Sequence, residues 1–295
     1  PISDLVIPRY ASSHSRLAVV TTLTETGRSD YRHRVLRYHQ FAAEIKRIGV
    51  PLYTVEIVRP GTSFETADDG TNVRLVRESS PHLWQKEHLL NCLIARLPVH
   101  LDAIAWLDAD VIYEHDVWAA AAELAMEKFA VAQMFDRLHW LDEDGTTLAT
   151  FRSCVDTSLY GSREIQVAGF GWCARRSFLQ ATGGLYARGG AGSNDAIMAV
   201  AYCPQFELQH YAAGKALSAL RWIRTAKKSG PATFLQNHTM RHLWHGSLKS
   251  RRYSQWDLDL IDAGYDADRD PVFHDFEVTT TRVDLHNILR RHGCV

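Results

Sequence analysis

Strands and helices alternate along the first 135 residues of this chain, and this alternation limits its possible folds more than any other feature. Apolar segments of strand length occur at 16–22, 50–58, 103–107 and 129–135. Between them, apolar residues recur every three or four positions, which predicts helices at 32–48, 84–95 and 117–128. Such alternation is typical of a mainly parallel sheet with helices on both faces. We therefore predict an α/β fold with a doubly wound, mainly parallel sheet.

Composition narrows the class of protein. Of 295 residues, 46% are apolar and 23% are charged, as in globular proteins with a substantial core. Lys and Arg number 33 and Asp and Glu number 34, so net charge gives no general attraction to nucleic acids or membranes. Five widely spaced cysteines without a C-x-x-C pair indicate a reduced protein. No apolar stretch approaches the roughly 20 residues that span a bilayer, and no signal peptide is recognisable, so we expect a cytoplasmic location.

Two carboxylates, Asp108 and Asp110, directly follow the buried strand predicted at 103–107. Carboxylates this close repel each other unless a positive charge lies between them. A divalent cation supplies that charge, and Mg²⁺ and similar ions bind one or two protein carboxylates together with water and substrate phosphates. Acidic residues also end many strands without binding anything. The pattern therefore marks a candidate site for a metal-bound diphosphate but does not establish it.

Further polar residues are predicted at the same edge of the sheet. Thr21, Thr22 and Glu56 lie near the ends of the first two predicted strands. Ligands of open α/β sheets bind at the carboxyl ends of the strands, so we expect these residues near Asp108. Asp116 is predicted to cap the helix at 117–128.

The middle of the chain contains an irregular segment followed by an ordered block. Residues 136–161 are polar, and we predict an insertion or mobile loop there. In the block that follows, Gly169 and Gly171 would let a substrate lie against the backbone. Asp195 stands where a glycine-rich loop enters a helix. It is either an N-cap residue or a general base that removes a proton from an acceptor hydroxyl.

A late segment supplies histidines and basic residues. Short histidine clusters are often polar surface, but one histidine is predicted as a third ligand of the Asp110 metal, His245 first and His242 second. An imidazole ligand favours Mn²⁺ mildly over Mg²⁺. Lys249 and Arg251 would then lie beside a diphosphate and offset its charge; their alternative role is a solvated basic surface.

The segment before the second predicted helix is also distinctive. Trp84 could stack on a base or a sugar, and Lys86 could lie near a phosphate. A packed tryptophan beside a solvated Lys86–Glu87 ion pair explains the same residues equally well.

Taken in order, these motifs resemble the nucleotide-sugar-dependent glycosyltransferases of the GT-A type, in particular family-two-like and phage-type members. The shared order is a strand ending in D-x-D, a G-F-G-W-C-A-R-R block, an acidic loop and a late W-H-G motif, over residues 16–255. The resemblance implies a single catalytic domain. Its nucleotide- and metal-binding half would be 1–135, its acceptor and catalytic half 136–255, and its C-terminal extension 256–295.

The resemblance also implies roles for individual residues. Asp110 and His245 would bind the metal, Asp108 would contact it or the ribose, and Asp195 would be the base of an inverting enzyme. The residues implied to bind the nucleotide sugar are Thr21, Thr22, Glu56, Trp84, Lys86, Asn91, Asp108, Gly171, Trp172, Lys249 and Arg251. Two positions depart from the family pattern. Asn194 stands where inverting members carry Glu, and Glu56 replaces the usual aspartate.

The acceptor and two alternative functions stay open. Basic residues interleaved with aromatics late in the chain, from Arg221 to Lys228 and from Arg241 to Arg252, are compatible with a nucleic-acid acceptor such as a hydroxymethylated base. A nucleotidyltransferase would need a loop rich in glycine and basic residues after the first strand, but T-L-T-E-T-G-R-S-D has one of each. A non-catalytic sugar-nucleotide-binding protein is suggested only by Asn194.

Overall fold

The computed structural model describes residues 15–25, 31–77, 83, 85–161, 164–190, 192–246 and 253–291. The strands are β1 (Leu17–Thr24), β2 (Leu52–Val58), β3 (Val73–Val76), β4 (Ala103–Leu107), β5 (Val111–Tyr113), β6 (Val131–Gln133), β7 (Arg137–Leu141), β8 (Thr147–Ser153), β9 (Gln166–Val167), β10 (Gly171–Arg175), β11 (Ala232–Phe234), β12 (Thr239–His242), β13 (Val272–His274) and β14 (Glu277–Thr279). The helices are α1 (Tyr31–Ile48), α2 (Lys86–Ile94), α3 (Trp118–Lys128), α4 (Cys154–Tyr160), α5 (Arg176–Thr182), α6 (Asn194–Ala199), α7 (Leu217–Ser229), α8 (Tyr253–Asp262) and α9 (Val283–Arg291).

The main sheet has seven strands in the order β11-β6-β10-β4-β1-β2-β3. Its pairs are parallel except at β10, which runs antiparallel to both β4 and β6. The predicted mainly parallel sheet is therefore confirmed. The antiparallel strand β10 brings its first residues to the same edge as the end of β4, where Asp108 and Asp110 follow.

Apolar side chains of the main sheet alternate between two cores, one on each face. Leu17 and Val19 of β1 pack in a core with Phe41 of α1 and Trp118 of α3. Ala18 and Val20 point the other way, into a core shared with α2, α5, α6 and α7. Because successive strand residues point to opposite faces, a strand covered by helices on both sides is apolar throughout. This is why β1 and β4 could be recognised from the sequence.

The predicted irregular segment at 136–161 is wrong. The structure has a β7–β8 hairpin there, followed by helix α4. These strands belong to a second sheet, in the order β5-β12-β7-β8-β9. Strand β8 is mostly exposed or half-buried, so its sequence lacks the apolar run that identifies a strand covered on both faces.

The predicted cap of helix α3 is also wrong. The helix begins after Val117 without a side-chain cap, and Asp116 accepts a hydrogen bond of 2.6 Å from Nη1 of Arg47 on α1. The carboxylate of Asp116 therefore forms an ion pair with Arg47 and does not cap the helix.

The β13–β14 hairpin packs against α2. The backbone N–H of Leu83 donates to the carbonyl of Val278 at 3.2 Å, and the Nε2 atom of His88 lies 2.8 Å from the carbonyl of His274. Contacts with this C-terminal hairpin thus help to hold helix α2, which carries Lys86 and Glu87, in place. Within the described ranges, no helix is both long and apolar enough to cross a membrane.

Candidate functional site

Asp110, His242 and His245 converge beside the end of β4. Asp110 lies between β4 and β5, and its carbonyl accepts a hydrogen bond of 2.8 Å from the backbone of Leu243. Strand β12 pairs antiparallel with β5, which places His242 opposite Val111. His245 follows three residues later. Register between two strands, and not proximity in sequence, therefore brings the carboxylate to the imidazoles.

The ligating atoms of these three residues lie within 4.8 Å of one another. The Oδ2 atom of Asp110 is 2.9 Å from Nε2 of His245 and 3.6 Å from Nε2 of His242. Both histidines are buried, His242 with 1% and His245 with 7% of its surface exposed. We refer to Asp110, His242 and His245 as the carboxylate–histidine triad.

The triad has the chemistry of a divalent metal site. Oδ1 of Asp110 and Nδ1 of His242 are buried without a hydrogen-bond partner among the described residues. Burial opposes ionisation of Asp110, but the two imidazoles hold its pKa well below its usual range. One carboxylate and two imidazoles suit Mn²⁺ and similar ions. The triad could therefore hold the predicted metal, with both His245 and His242 as ligands.

Aromatic rings fix the orientation of His242. Its ring centroid lies 5.0 Å from that of Trp140 and 5.1 Å from that of Phe170, in edge-to-face contacts. Phe170 has a positive φ of 75°, which is rare for a residue with a side chain. The segment between the histidines is held by α1, because Nε of Arg37 donates to the carbonyl of Trp244 at 2.6 Å.

Lys86 and Asp108 form an ion pair next to the triad. The sequence predicted Asp108 at the metal or the ribose, whereas in the structure its carboxylate contacts this lysine. Burial lowers the pKa of Lys86, but the charges of Asp108 and Glu87 outweigh burial and raise it. The backbone N–H of Asp108 also donates to the carbonyl of Phe170 at 3.0 Å. The site thus combines a triad that could hold a metal with an ammonium group held by an ion pair.

Asp195 lies near this ion pair at the start of α6. Burial raises its pKa to about 6, partly opposed by the positive charge of Lys86. Its Oδ1 atom accepts a hydrogen bond of 2.8 Å from the backbone of Ala196. A Cβ atom on Gly169 would be 2.6 Å from its Oδ2 atom, so the glycine leaves room for the carboxylate and not for a substrate. A carboxylate with a pKa near neutrality suits a general base.

Two buried residues behind Asp195 were not predicted as parts of the site. Asn194 is fully buried, and its Nδ2 atom donates to Oε2 of Glu87 at 2.7 Å. Burial raises the pKa of Glu87 to about 7. The polar pairs Lys86-Glu87 and Asn194-Asp195 are visible in the sequence, but nothing in it links residues 107 positions apart.

Two of the three residues predicted to hold the nucleoside have partners within the protein. Strand β1 continues to Thr24 and β2 to Val58, so Thr21, Thr22 and Glu56 lie inside strands and not at their ends. The hydroxyl of Thr21 donates to the carbonyl of Leu107 at 2.7 Å. The carboxylate of Glu56 is fully buried and accepts three hydrogen bonds from Glu65 and Thr66, at 2.7–2.8 Å. It therefore organises the loop after β2.

Three more residues that were predicted to bind the nucleotide sugar make contacts within the protein. Asn91 donates to the carbonyl of Leu185 at 2.9 Å and accepts from its backbone N–H at 2.7 Å, which holds the turn after α5. Gly171 is packed, because a Cβ atom there would lie 2.6 Å from the side chain of Leu107. Trp172 is buried in the core, and its indole N–H donates to the carbonyl of Ala168 at 2.6 Å. Trp84, Lys249 and Arg251 lie outside the described residues.

Comparisons with known proteins give fold-level similarity only. No protein-family model matches the chain, and no curated protein matches it in sequence. The catalytic domain of Drosophila β-1,4-galactosyltransferase 7, solved with xylobiose, is 13% identical with a TM-score of 0.38, over 90% of this chain and 91% of that one. In a second structure of that enzyme the match covers 75% of this chain and 66% of that one.

Two bacterial enzymes are similar to the same degree. Glucosyl-3-phosphoglycerate synthase from Mycobacterium tuberculosis is 12% identical, with a TM-score of 0.42, over 90% of this chain and 86% of that one. A glucose-1-phosphate thymidylyltransferase from Bacillus anthracis is 9% identical, with a TM-score of 0.38, over 88% and 98%. The names of these enzymes describe different reactions, and their structures superpose only loosely on this chain. The similarity therefore does not indicate which reaction this chain catalyses.

Proposed function

We propose that this chain is a metal-dependent GT-A glycosyltransferase that moves a sugar from a nucleoside diphosphate to an acceptor hydroxyl. One observation carries the proposal. The carboxylate–histidine triad, the Lys86–Asp108 ion pair and the carboxylate of Asp195, whose pKa burial raises to about 6, lie together beside the end of β4. Transfer from a nucleoside diphosphate needs a cation for the leaving group and a base for the acceptor, and this site has residues for both.

Asp110, His242 and His245 would hold Mn²⁺ or Mg²⁺, which supplies positive charge to the departing diphosphate. Lys86 would donate hydrogen bonds to a phosphate oxygen, in competition with its ion pair to Asp108. Lys249 and Arg251 are proposed to add charge to the same diphosphate, and Trp84 to stack on the base or the sugar.

Asp195 is proposed as the general base. Its carboxylate would take the proton of the acceptor hydroxyl while the hydroxyl oxygen bonds to the anomeric carbon. The bond from that carbon to the diphosphate oxygen breaks in the same step, and the diphosphate leaves with the electron pair. A single displacement inverts the configuration at the anomeric carbon, so the proposal includes an inverting reaction.

The buried amide of Asn194 bears on the non-catalytic alternative. That alternative rested on Asn194 replacing an acidic residue. In the structure the amide donates to Glu87 and accepts from Gly189, at 2.7 Å each, so it serves as a bridge and not as a lost catalytic acid. This favours an active enzyme.

A nucleic acid is the acceptor that we propose to test first. Helix α7 exposes Arg221, Arg224, Lys227 and Lys228, while Trp222 and Ile223 face the core. No acidic residue interrupts this basic face within the helix. Phosphate contacts by such a face would make binding to DNA weaken steeply as salt rises.

The test is a thermal-shift screen of nucleoside diphosphates and sugar nucleotides with Mn²⁺, followed by a transfer assay with the donor that binds. Asp110→Asn should abolish transfer, Asp195→Asn should lower it by about 10²- to 10⁴-fold, and both variants should stay folded. Full transfer by either variant would overturn the proposal. Release of pyrophosphate from a nucleoside triphosphate would identify a nucleotidyltransferase, and binding of a donor without turnover would identify a non-catalytic protein.

A further inference from the structure

Glu87 is a buried carboxylate for which the proposed reaction has no use. It lies in the first turn of α2, with 4% of its surface exposed. A charged group in the protein interior is costly unless other groups bond to it. Its Oε2 atom accepts a hydrogen bond of 2.7 Å from Nδ2 of Asn194. This hydrogen bond links Glu87 to whatever Asn194 holds in place.

Asn194 connects Glu87 to the glycine-rich loop that precedes α6. While its Nδ2 atom donates to Glu87, its Oδ1 atom accepts a hydrogen bond of 2.7 Å from the backbone N–H of Gly189. The approach is close, since a Cβ atom on Gly189 would be 2.5 Å from Oδ1 of Asn194. One fully buried amide therefore joins α2, the loop and the start of α6.

Asp195 is the next residue, so the same amide determines where its backbone lies. Its carboxylate lies against the backbone of Gly169, in space that a single methyl group would fill. A general base must be placed within hydrogen-bond distance of the proton that it removes, and errors of about 1 Å cost up to 10²-fold in rate. Small movements of α6 would therefore affect this residue first.

We propose that Glu87 and Asn194 are positioning residues that hold Asp195 in the geometry needed to accept the acceptor proton. The inference rests on the proposed glycosyltransferase function and adds to it two residues that would act through Asp195 and not directly on donor or acceptor. The essential feature is the direction of the hydrogen bonds: residue 194 donates to residue 87 and accepts from Gly189.

Reversing that direction gives a sharp test. Asn194→Asp removes the donor and places two buried carboxylates against each other, which should displace the start of α6. Adding Glu87→Gln restores the bridge, because the new amide at position 87 can donate to the new carboxylate at position 194. That carboxylate still accepts from the backbone of Gly189.

Asn72→Asp is the matched control for these variants. Asn72 also bridges backbone groups, accepting from Thr54 at 3.1 Å and donating to Ala67 at 3.1 Å. It lies between β2 and β3, so the same change of amide to carboxylate occurs away from α6.

Steady-state transfer kinetics separate positioning from binding. We expect Asn194→Asp to lower kcat at least tenfold with the KM for the donor within about twofold, and the double variant to recover to within about threefold of the wild type. Asn72→Asp should keep the wild-type kcat. Loss of donor binding in Asn194→Asp, an unchanged kcat, or a double variant no better than the single one would each overturn the proposal.

Hydrogen exchange distinguishes failure of this inference from failure of the proposed function. Without any substrate, peptides covering residues 186–199 should exchange faster in Asn194→Asp and return to the wild-type rate in the double variant. If the wild type transfers no sugar but exchange follows this pattern, only the proposed function fails. If transfer is normal and exchange does not follow it, only the positioning proposal fails.

Discussion

Oδ2 of Asp195 lies 2.6 Å from the position that a Cβ atom on Gly169 would occupy. The two residues lie in different parts of the fold, and contact between them is possible only because residue 169 has no side chain. The lack of a side chain at residue 169 therefore sets how closely the proposed base approaches the start of β10. Substitutions at Gly169 should act through Asp195.

Gly169→Ala should lower kcat by about 10- to 100-fold, because the added methyl group displaces the carboxylate. Stability should change by less than about 1 kcal/mol, since the clashing atom is the end of a side chain that can rotate. In an Asp195→Asn background the same substitution should cost much less, which a double-mutant cycle measures. Equal losses in both backgrounds would show that the two residues act independently.

Asp195 should make the folded chain less stable at high pH. Its pKa is about 6 in the folded state, against an ordinary value of 3.8. The folded state therefore binds its proton more tightly, and the resulting stability is fully present below pH 3.8 and is lost as pH rises through 6. Asp195→Asn should raise the free energy of unfolding at pH 8 by up to about 3 kcal/mol.

That gain should disappear near pH 4. Urea unfolding of both proteins with a chelator present, at pH 4 and pH 8, measures it. A substitution that is neutral or destabilising at pH 8 would contradict the raised pKa of Asp195.

Removing the charge of Lys86 should shift the pH dependence of transfer. Lys86 lowers the pKa of Asp195, so Lys86→Met should raise that pKa and move the acid limb of kcat/KM to higher pH. Lys86→Arg keeps the charge and serves as the control. Transfer rates between pH 5 and pH 9 measure the shift. An acid limb at the same pH in Lys86→Met would show that Lys86 does not influence the pKa of the base.

The carboxylate–histidine triad should bind Mn²⁺ without a donor. At a concentration of 100 times the dissociation constant, the metal should raise the free energy of unfolding by about 2.7 kcal/mol. Asp110→Asn and His245→Ala should remove this stabilisation. His139→Ala is the control, because His139 bonds to Thr150 at 2.8 Å on the second sheet and not to the triad. Undiminished stabilisation of the Asp110 variant would place the metal elsewhere.

Elements of the main sheet could be predicted well. Strand β4 was predicted with the same limits as in the structure, and helix α1 to within one residue. Elements that pack against the cores on the two faces of the main sheet have strong apolar patterns, so they can be recognised from the sequence. The half-exposed strands β7 and β8 were missed for the opposite reason. Asp116 was predicted from its local sequence to cap α3, but its carboxylate instead binds Arg47 on α1.

Local sequence was enough to predict the α/β class, the two aspartates that follow β4 and an acidic residue at the start of α6. These depend on neighbours within a few positions along the chain. Three contacts could be seen only in the folded chain: Asp110 with two histidines, Asp108 with Lys86, and Asn194 with both Glu87 and Gly189. The contacts that join the triad and link α2 to α6 depend on strand register and helix packing across about 100 residues or more, and no local pattern encodes them.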